Sequence, residues 1–227
     1  MITEALLINT EDVNEKEENK TEEKKSSGST VLADDGFYFG IGAFETIAVE
    51  EGIPQLLAWH LERLRDSLAF FGIDQSVEEQ EVLAYLNASP QSEEKQHGAL
   101  KITVTAQNKL FGLRKNTYSE EQYQKGFRLG FSEIRRNETS PLTYHKTLGI
   151  ADNIMEKRNA KKSGLDEKIF LNQKGQISEG CTTNIFFIQD DKLVTPPVSS
   201  GMLPGVMRRY VKEVVSEEKE WEVDFSG

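Results

Sequence analysis

Apolar residues recur along this chain with two periods, and the change from one to the other marks its elements. Leu57, Leu61, Leu64, Leu68 and Phe71 fall at steps of four and three, one stripe that predicts a helix over residues 57–71 with Gly72 as its stop. Ser76-Val77-Glu78-Glu79 fits a capping box opening a second helix to about Asn87. A third helix starts at Ile150 or Ala151 and ends near Ser163, before Gly164, and a fourth covers Val206 to Val215. Alternation predicts strands at Ala5 to Asn9, Phe44 to Val49, Leu100 to Thr105 and Phe127 to Ile134, with Glu51-Gly52 a hairpin turn and Asp34-Asp35-Gly36 another turn. Gln107 to Lys115 and Asn116 to Gly126 read as polar connections, and Trp221 to Phe225 as a short final strand.

The stretch from Glu167 to Thr195 organises the rest. It reads as strand, tight turn, strand, turn, strand, with the polar run Glu179-Gly180-Cys181-Thr182-Thr183-Asn184 between apolar segments. A carboxylate in that setting needs a partner. One helix upstream, Lys146 sits among Tyr144, His145 and Leu148 rather than among charges, which implies partial burial.

Composition alters this picture in one place. The chain has 227 residues, enough for a sizeable core, yet its mean hydropathy is -0.53 and its hydrophobic content 37%. The deficit is local, because residues 11–29 are almost wholly charged or small and polar, and they read as a flexible surface loop. A net charge of -11 argues against nucleic acid or an anionic membrane as partner. One cysteine permits no internal disulfide. With no signal peptide and no membrane-length apolar run, a soluble cytoplasmic protein is expected.

Four groups then carry candidate chemistry. A buried lysine has a lowered pKa and becomes a nucleophile toward an aldehyde, which suits Lys146. A carboxylate facing a ring nitrogen strengthens an electron sink, which suits Glu179. Arg63 offers a planar fork for phosphate. Gly201-Met202-Leu203-Pro204-Gly205 leads into a helix whose first N–H groups are free for an anion, at Val206 and Met207. Singly, each also reads as a surface charge or an ordinary turn; together they match the aldehyde, ring nitrogen and phosphate of pyridoxal 5'-phosphate (PLP). Cys181 reads as core filler, the three histidines show no metal spacing, and Gly40-Ile41-Gly42 lacks the third glycine of a dinucleotide fingerprint.

Five segments in order resemble the class IV aminotransferase family, the fold-type IV PLP enzymes. They are Asp35 to Thr46 (DGFYFGIGAFET), His60 to Leu64 (HLERL), Lys146-Thr147-Leu148, Glu179 to Phe186 (EGCTTNIF) and Gly201 to Arg208 (GMLPGVMR). The resemblance implies an α/β (α+β) fold of two domains: a small N-terminal α/β domain over residues 1–120 and a larger strand-rich PLP domain over residues 121–227. It implies a homodimer and an amino-acid-like anionic substrate. It assigns Lys146 to the cofactor aldehyde, Glu179 to the pyridine nitrogen, and Arg63 with Gly205 and the amides of Val206 and Met207 to the phosphate. Phe44, Arg114 and Thr183 fall to the substrate side. Within the family the pattern is nearest the aminodeoxychorismate lyases, with branched-chain and D-amino-acid aminotransferases as alternatives and a non-catalytic PLP-binding protein as a third. Gly149 stands where an asparagine is usual, and Met207 where a threonine is frequent. The family pattern continues beyond residue 227 with a strand and a Ser/Thr-rich loop.

Overall fold

The computed structural model describes residues 2–9, 31–116, 118, 120–189, 192–217 and 223–224. The charged segment 11–29, expected to be a loop, lies outside them. The elements run β1 (Ile2–Asn9), α1 (Asp35–Phe39), β2 (Ala43–Glu50), β3 (Ile53–Pro54), α2 (Leu57–Phe71), α3 (Glu79–Ala88), α4 (Glu93–Gln96), β4 (His97–Val104), β5 (Lys109–Lys115) and α5 (Glu120–Lys125). They continue with β6 (Leu129–Arg136), a 3-10 turn (Pro141–Tyr144), α6 (Ala151–Lys162), β7 (Glu167–Asn172), β8 (Ile177–Gly180), β9 (Thr183–Gln189), β10 (Lys192–Val194), α7 (Val206–Glu217) and β11 (Val223–Asp224). Mixed helices and strands of this kind are what the α/β reading requires.

Three sheets share the strands. β3, β2, β4 and β5 form an antiparallel meander-like sheet in that order, and its α2-facing side carries the main core. Ala43, Ile47 and Val49 of β2 point with Leu100, Ile102 and Val104 of β4 against Leu64 and Leu68 of α2 and Val82 and Leu86 of α3. Period two on the strand meets period 3.6 on the helix, and burial of each such leucine stabilises the fold by roughly 1.5–3 kcal/mol. The second sheet is β6-β7-β8 and the third β1-β9-β10-β11. The first strand does not join the β3-β2-β4-β5 sheet that follows it in the chain; it lies antiparallel to β9.

Several boundaries differ from the sequence pattern for identifiable reasons. Asp34 does not make a simple turn: its carboxylate accepts from the amides of Gly36 (2.9 Å) and Phe37 (3.3 Å) and so caps the short helix α1. The box before α3 sits two residues later than the Ser76 reading, with Glu78 and Glu81 as its partners. Residues 109–115 are a strand rather than a loop, because Phe111 and Leu113 pack on the core while the intervening residues face away. Most consequential, the expected run of strands from Glu167 is broken between β8 and β9. β8 belongs with β7, β9 belongs with β1, and Cys181-Thr182 is the crossover. Glu179 therefore stands at the end of one sheet, just where the chain leaves it.

The middle sheet is irregular on both sides of one residue. Between the pairs Ile169–Gly180 and Leu171–Ile177, Phe170 of β7 is opposed by both Ser178 and Glu179. Between Phe131–Ile169 and Arg135–Leu171, the same Phe170 is opposed by Ser132, Glu133 and Ile134 of β6. A bulge that places two residues against one breaks the alternation and lets consecutive side chains lie toward one face. Arg136, paired with Asn172, shares the Phe170 face, and its guanidinium lies 4.2 Å from the Phe170 ring centre.

Candidate active site

Lys146 follows the 3-10 turn Pro141–Tyr144 and is only 2% exposed. Two backbone hydrogen bonds hold its segment to the start of β2, Phe44 N–H to Lys146 O (3.0 Å) and Leu148 N–H to Gly42 O (3.0 Å), and together they make Thr147 and Ala43 an antiparallel bridge pair. Its own N–H donates to Ser67 Oγ on α2 (3.3 Å). Its Nζ lies 4.7 Å from the centre of the Phe44 ring, which is itself buried. Ahead of it, His145 stacks on Phe70 at 4.2 Å, and burial outweighs the opposing charge of Asp66 to hold that imidazole's pKa below its ordinary value.

Glu179 and Lys146 line one cavity of about 260 Å³, together with Arg136, Asn153, Cys181 and Leu203. Glu179 is 5% exposed. Its Oε1 accepts from Arg136 Nη2 at 2.8 Å, and its Oε2 from Leu203 N–H at 3.0 Å. Arg136 was not among the residues singled out from sequence. Its place in a dipeptide of arginines at a strand end resembles surface charge, and its direction comes from its pairing with Asn172, on the Phe170 side of β7.

Leu203 begins a segment that ties this cavity to a second one. Ser178 Oγ donates to Gly201 O (2.9 Å), and Asn184 Nδ2 donates to Leu203 O (3.1 Å), so β8 and β9 both grip residues 201–203. Pro204, Gly205 and Val206 then line a larger cavity of about 610 Å³ with Arg63. Gly205 and Val206 are buried at the start of α7, where the first-turn N–H groups have no acceptor within the helix. Met207 turns its side chain to the small apolar cluster of Phe186 and Leu193.

Arg63 does point inward, but its fork is already engaged. Nε and Nη2 each donate to Glu45 at 2.7 Å, and Nη1 donates to Pro204 O at 3.3 Å. His60 Nδ1 meets the same carboxylate at 2.7 Å. Glu45 is wholly buried, which by itself would raise its pKa. The charge and hydrogen bonds of Arg63 and the contact with His60 outweigh burial and bring it down to about 2. The pair thus fixes Arg63 against the turn at Pro204, with its Nη1 edge directed to the second cavity's wall. Glu45 was missing from the sequence reading, although it sits on the alternation of Ala43, Ile47 and Val49, where an acid on the core face is itself a signal.

Of the remaining candidates, Phe44 contacts Lys146 as described, and Thr183 is 1% exposed on β9 with its Oγ1 lacking a partner among the described residues. Arg114 lies on β5, donates to Lys115 O at 3.2 Å and lines neither cavity. Cys181 is buried, and desolvation, helped by the nearby Glu167, pushes its thiol well above the ordinary range, so it is no nucleophile. Among the described residues no cluster of His, Cys, Asp and Glu could hold a metal ion, and no helix is long and apolar enough to cross a membrane.

These residues fit the cofactor that the resemblance implies. A buried primary amine and a buried carboxylate share one cavity, and the continuous segment from Leu203 to Val206 carries its wall to a cavity lined by an arginine and a helix start. The comparisons with known proteins agree. The family model "Amino-transferase class IV" matches residues 42–226. The aminodeoxychorismate lyase of Bacillus subtilis (strain 168) is 30% identical over 197 residues, 79% of this chain, and the match spans 66% of that protein's length. The D-alanine aminotransferase of Bacillus licheniformis is 26% identical over 205 residues, covering 86% of this chain and 72% of that protein. Among solved structures, a fold IV-transaminase from Curtobacterium pusillum superposes with a TM-score of 0.74 at 26% identity, covering 88% of this chain and 74% of that one. A 4-amino-4-deoxychorismate lyase from Pseudomonas aeruginosa also has a TM-score of 0.74, at 23% identity, covering 89% and 79%. The chain belongs to the amino-transferase class IV family, whose members are pyridoxal phosphate-dependent enzymes.

Proposed function

We propose that this protein is a PLP-dependent lyase that releases pyruvate from 4-amino-4-deoxychorismate to give 4-aminobenzoate, a step of folate biosynthesis carried out in the cytoplasm by a homodimer. The observation that carries the catalytic part is the shared cavity of buried Lys146 and buried Glu179. The choice of lyase leans on the 30% identity to a lyase, against 26% to a D-alanine aminotransferase and 26% to a branched-chain one from Methanocaldococcus jannaschii.

When bound, PLP supplies an electron sink for the pair left by a breaking Cα–H bond. Lys146 would hold its aldehyde carbon, Glu179 its ring nitrogen, and Arg63 with the amides of Val206 and Met207 its phosphate. Lys146 Nζ is the base for the substrate's Cα proton and later the acid for the departing enolpyruvyl group. Phe44, packed on Lys146, restricts where that amine can swing and keeps water from it. Transamination uses the same residues and differs in where Lys146 returns the proton.

Pyruvate release separates the two. Protein reconstituted with PLP should form pyruvate from aminodeoxychorismate with no keto-acid acceptor present; strict dependence on an acceptor would replace the lyase reading with transamination. Borohydride should fix the cofactor to a peptide containing Lys146, and the same yield of fixed cofactor in Lys146→Ala would remove Lys146 from its role. Fixation without turnover of either kind would leave a PLP-binding protein.

A further inference from the structure

We propose that Arg136 is a positioning residue for the cofactor: it keeps Glu179 charged and aimed into the cavity, so that the ring nitrogen is held in its protonated form. This rests on the reading that PLP occupies the Lys146–Glu179 cavity.

A carboxylate that is 5% exposed is costly as an anion unless a charge stands beside it; alone, it takes up a proton. A neutral Glu179 could offer a hydrogen bond to a ring nitrogen but would not favour a proton on it. Arg136 removes that difficulty at 2.8 Å, and arginine keeps its own charge under any neutral condition.

Arg136 is also held so that it can do nothing else easily. Nη1 donates to Asn153 Oδ1 at 3.1 Å, and Asn153 in turn donates from Nδ2 to Cys181 O at 2.6 Å. One asparagine on α6 thus fixes both the guanidinium and the crossover that follows Glu179. The guanidinium rests 4.2 Å from the centre of the Phe170 ring, and the side chain is only 15% exposed. Pairing of Arg136 with Asn172 on one side of β7, and the bulge opposite Phe170 on the other, bring Arg136 and Glu179 to the same face from two different strands. A surface arginine that met a glutamate by chance would not be gripped by a helix, a ring and a carboxylate at once. Arg136 also lines the cavity, and its Nε is buried without a partner among the described residues. This raises the competing role of a direct contact with substrate, which the test must separate.

The experiment follows the ring nitrogen rather than turnover. Apo-protein is reconstituted with PLP isotopically labelled at the ring nitrogen, and nitrogen NMR at one fixed pH near neutrality reports whether that atom carries a proton. Wild type and Arg136→Lys, which keeps the charge, should show a protonated nitrogen. Arg136→Met should show an unprotonated one and bind PLP about tenfold more weakly, the equivalent of one charge-assisted hydrogen bond. In Glu179→Gln the further change Arg136→Met should add little, because the arginine acts through the carboxylate. Near-ultraviolet circular dichroism checks that each variant is folded, and if Arg136→Met is not, the Lys variant and the Glu179→Gln background carry the comparison. A protonated nitrogen in folded Arg136→Met, or an effect confined to the KM for substrate, overturns the proposal while leaving PLP binding intact. Failure of wild type to bind PLP overturns the functional reading itself, and the proposal with it.

Discussion

Glu45 offers the sharpest test of how this site is supported. The perturbation is Glu45→Gln, which keeps the shape and removes the charge. Glu45 is wholly buried, and its pKa falls from the ordinary 4.5 to about 2. The depression of about 2.5 units corresponds to roughly 3 kcal/mol at ~1.36 kcal/mol per unit. The sign follows from the direction. A carboxyl whose folded pKa is lowered contributes stability that is complete above 4.5 and disappears as pH falls toward about 2. Replacement by glutamine should therefore cost roughly 3 kcal/mol at neutral pH, since it leaves Arg63 and His60 facing an amide. At roughly 2–4 °C per kcal/mol for a chain of this size, Tm should drop by about 6–12 °C. Thermal unfolding followed by far-ultraviolet circular dichroism, from neutral pH down to pH values near 2, gives the assay. The gap between wild type and variant should be widest at neutral pH and close in acid. Parallel acid profiles with a constant gap would refute the linkage, and a Tm loss below about 2 °C at neutral pH would refute the magnitude.

Further outcomes follow from individual contacts. Gly42→Ala would set a Cβ 2.7 Å from Val104 O and 2.8 Å from Leu148 Cδ1, so the start of β2 must shift from the Lys146 segment; urea unfolding should register a loss of roughly 1–3 kcal/mol, with less cofactor fixed by borohydride. Asn184→Ala leaves Leu203 O without its 3.1 Å donor and frees the segment leading to Gly205, so PLP affinity should weaken along with a stability loss of roughly 1–3 kcal/mol in the same titration. Cys181, buried and with its thiol pushed up, should resist a thiol-reactive dye in the native protein and react at once in denaturant; fast native labelling would contradict the burial.

Local order was legible in the sequence, and tertiary pairing was not. Residues 57–71 form a helix as the leucine stripe requires, because a stripe of that length leaves one way to bury itself. The strand β5 escaped notice because Lys109, Gly112 and Arg114 mask a core face made of only Phe111 and Leu113. Lys146, Glu179, Arg63 and Gly205 are visible as residue types in a pattern, yet that Arg63 is braced by Glu45 depends on how β2 packs against α2, 18 positions away in the chain. Arg136 was hidden for a similar reason. Its direction is set by the register of β6 against β7, which no local period records. Arg114 shows the converse: a charge expected to reach a substrate carboxylate that the sheet carries to an outer strand.

The unequal counts on either side of Phe170 bear on which changes this protein can absorb. Ser178 and Glu179 can both reach the 201–203 segment because two residues stand opposite one. Loss of Ser178 would leave Glu179 alone opposite Phe170 and remove the hydroxyl that holds Gly201 O, even with every remaining side chain preserved. Loss of one residue from Ser132 to Ile134 would put Arg136 four positions from Phe131 instead of five, and simple alternation would then point it to the other face. Substitutions there trade one side chain for another, whereas a deletion of one codon changes the register of the cavity wall. Chain length through these two short segments is therefore under tighter constraint than residue identity at most of their positions.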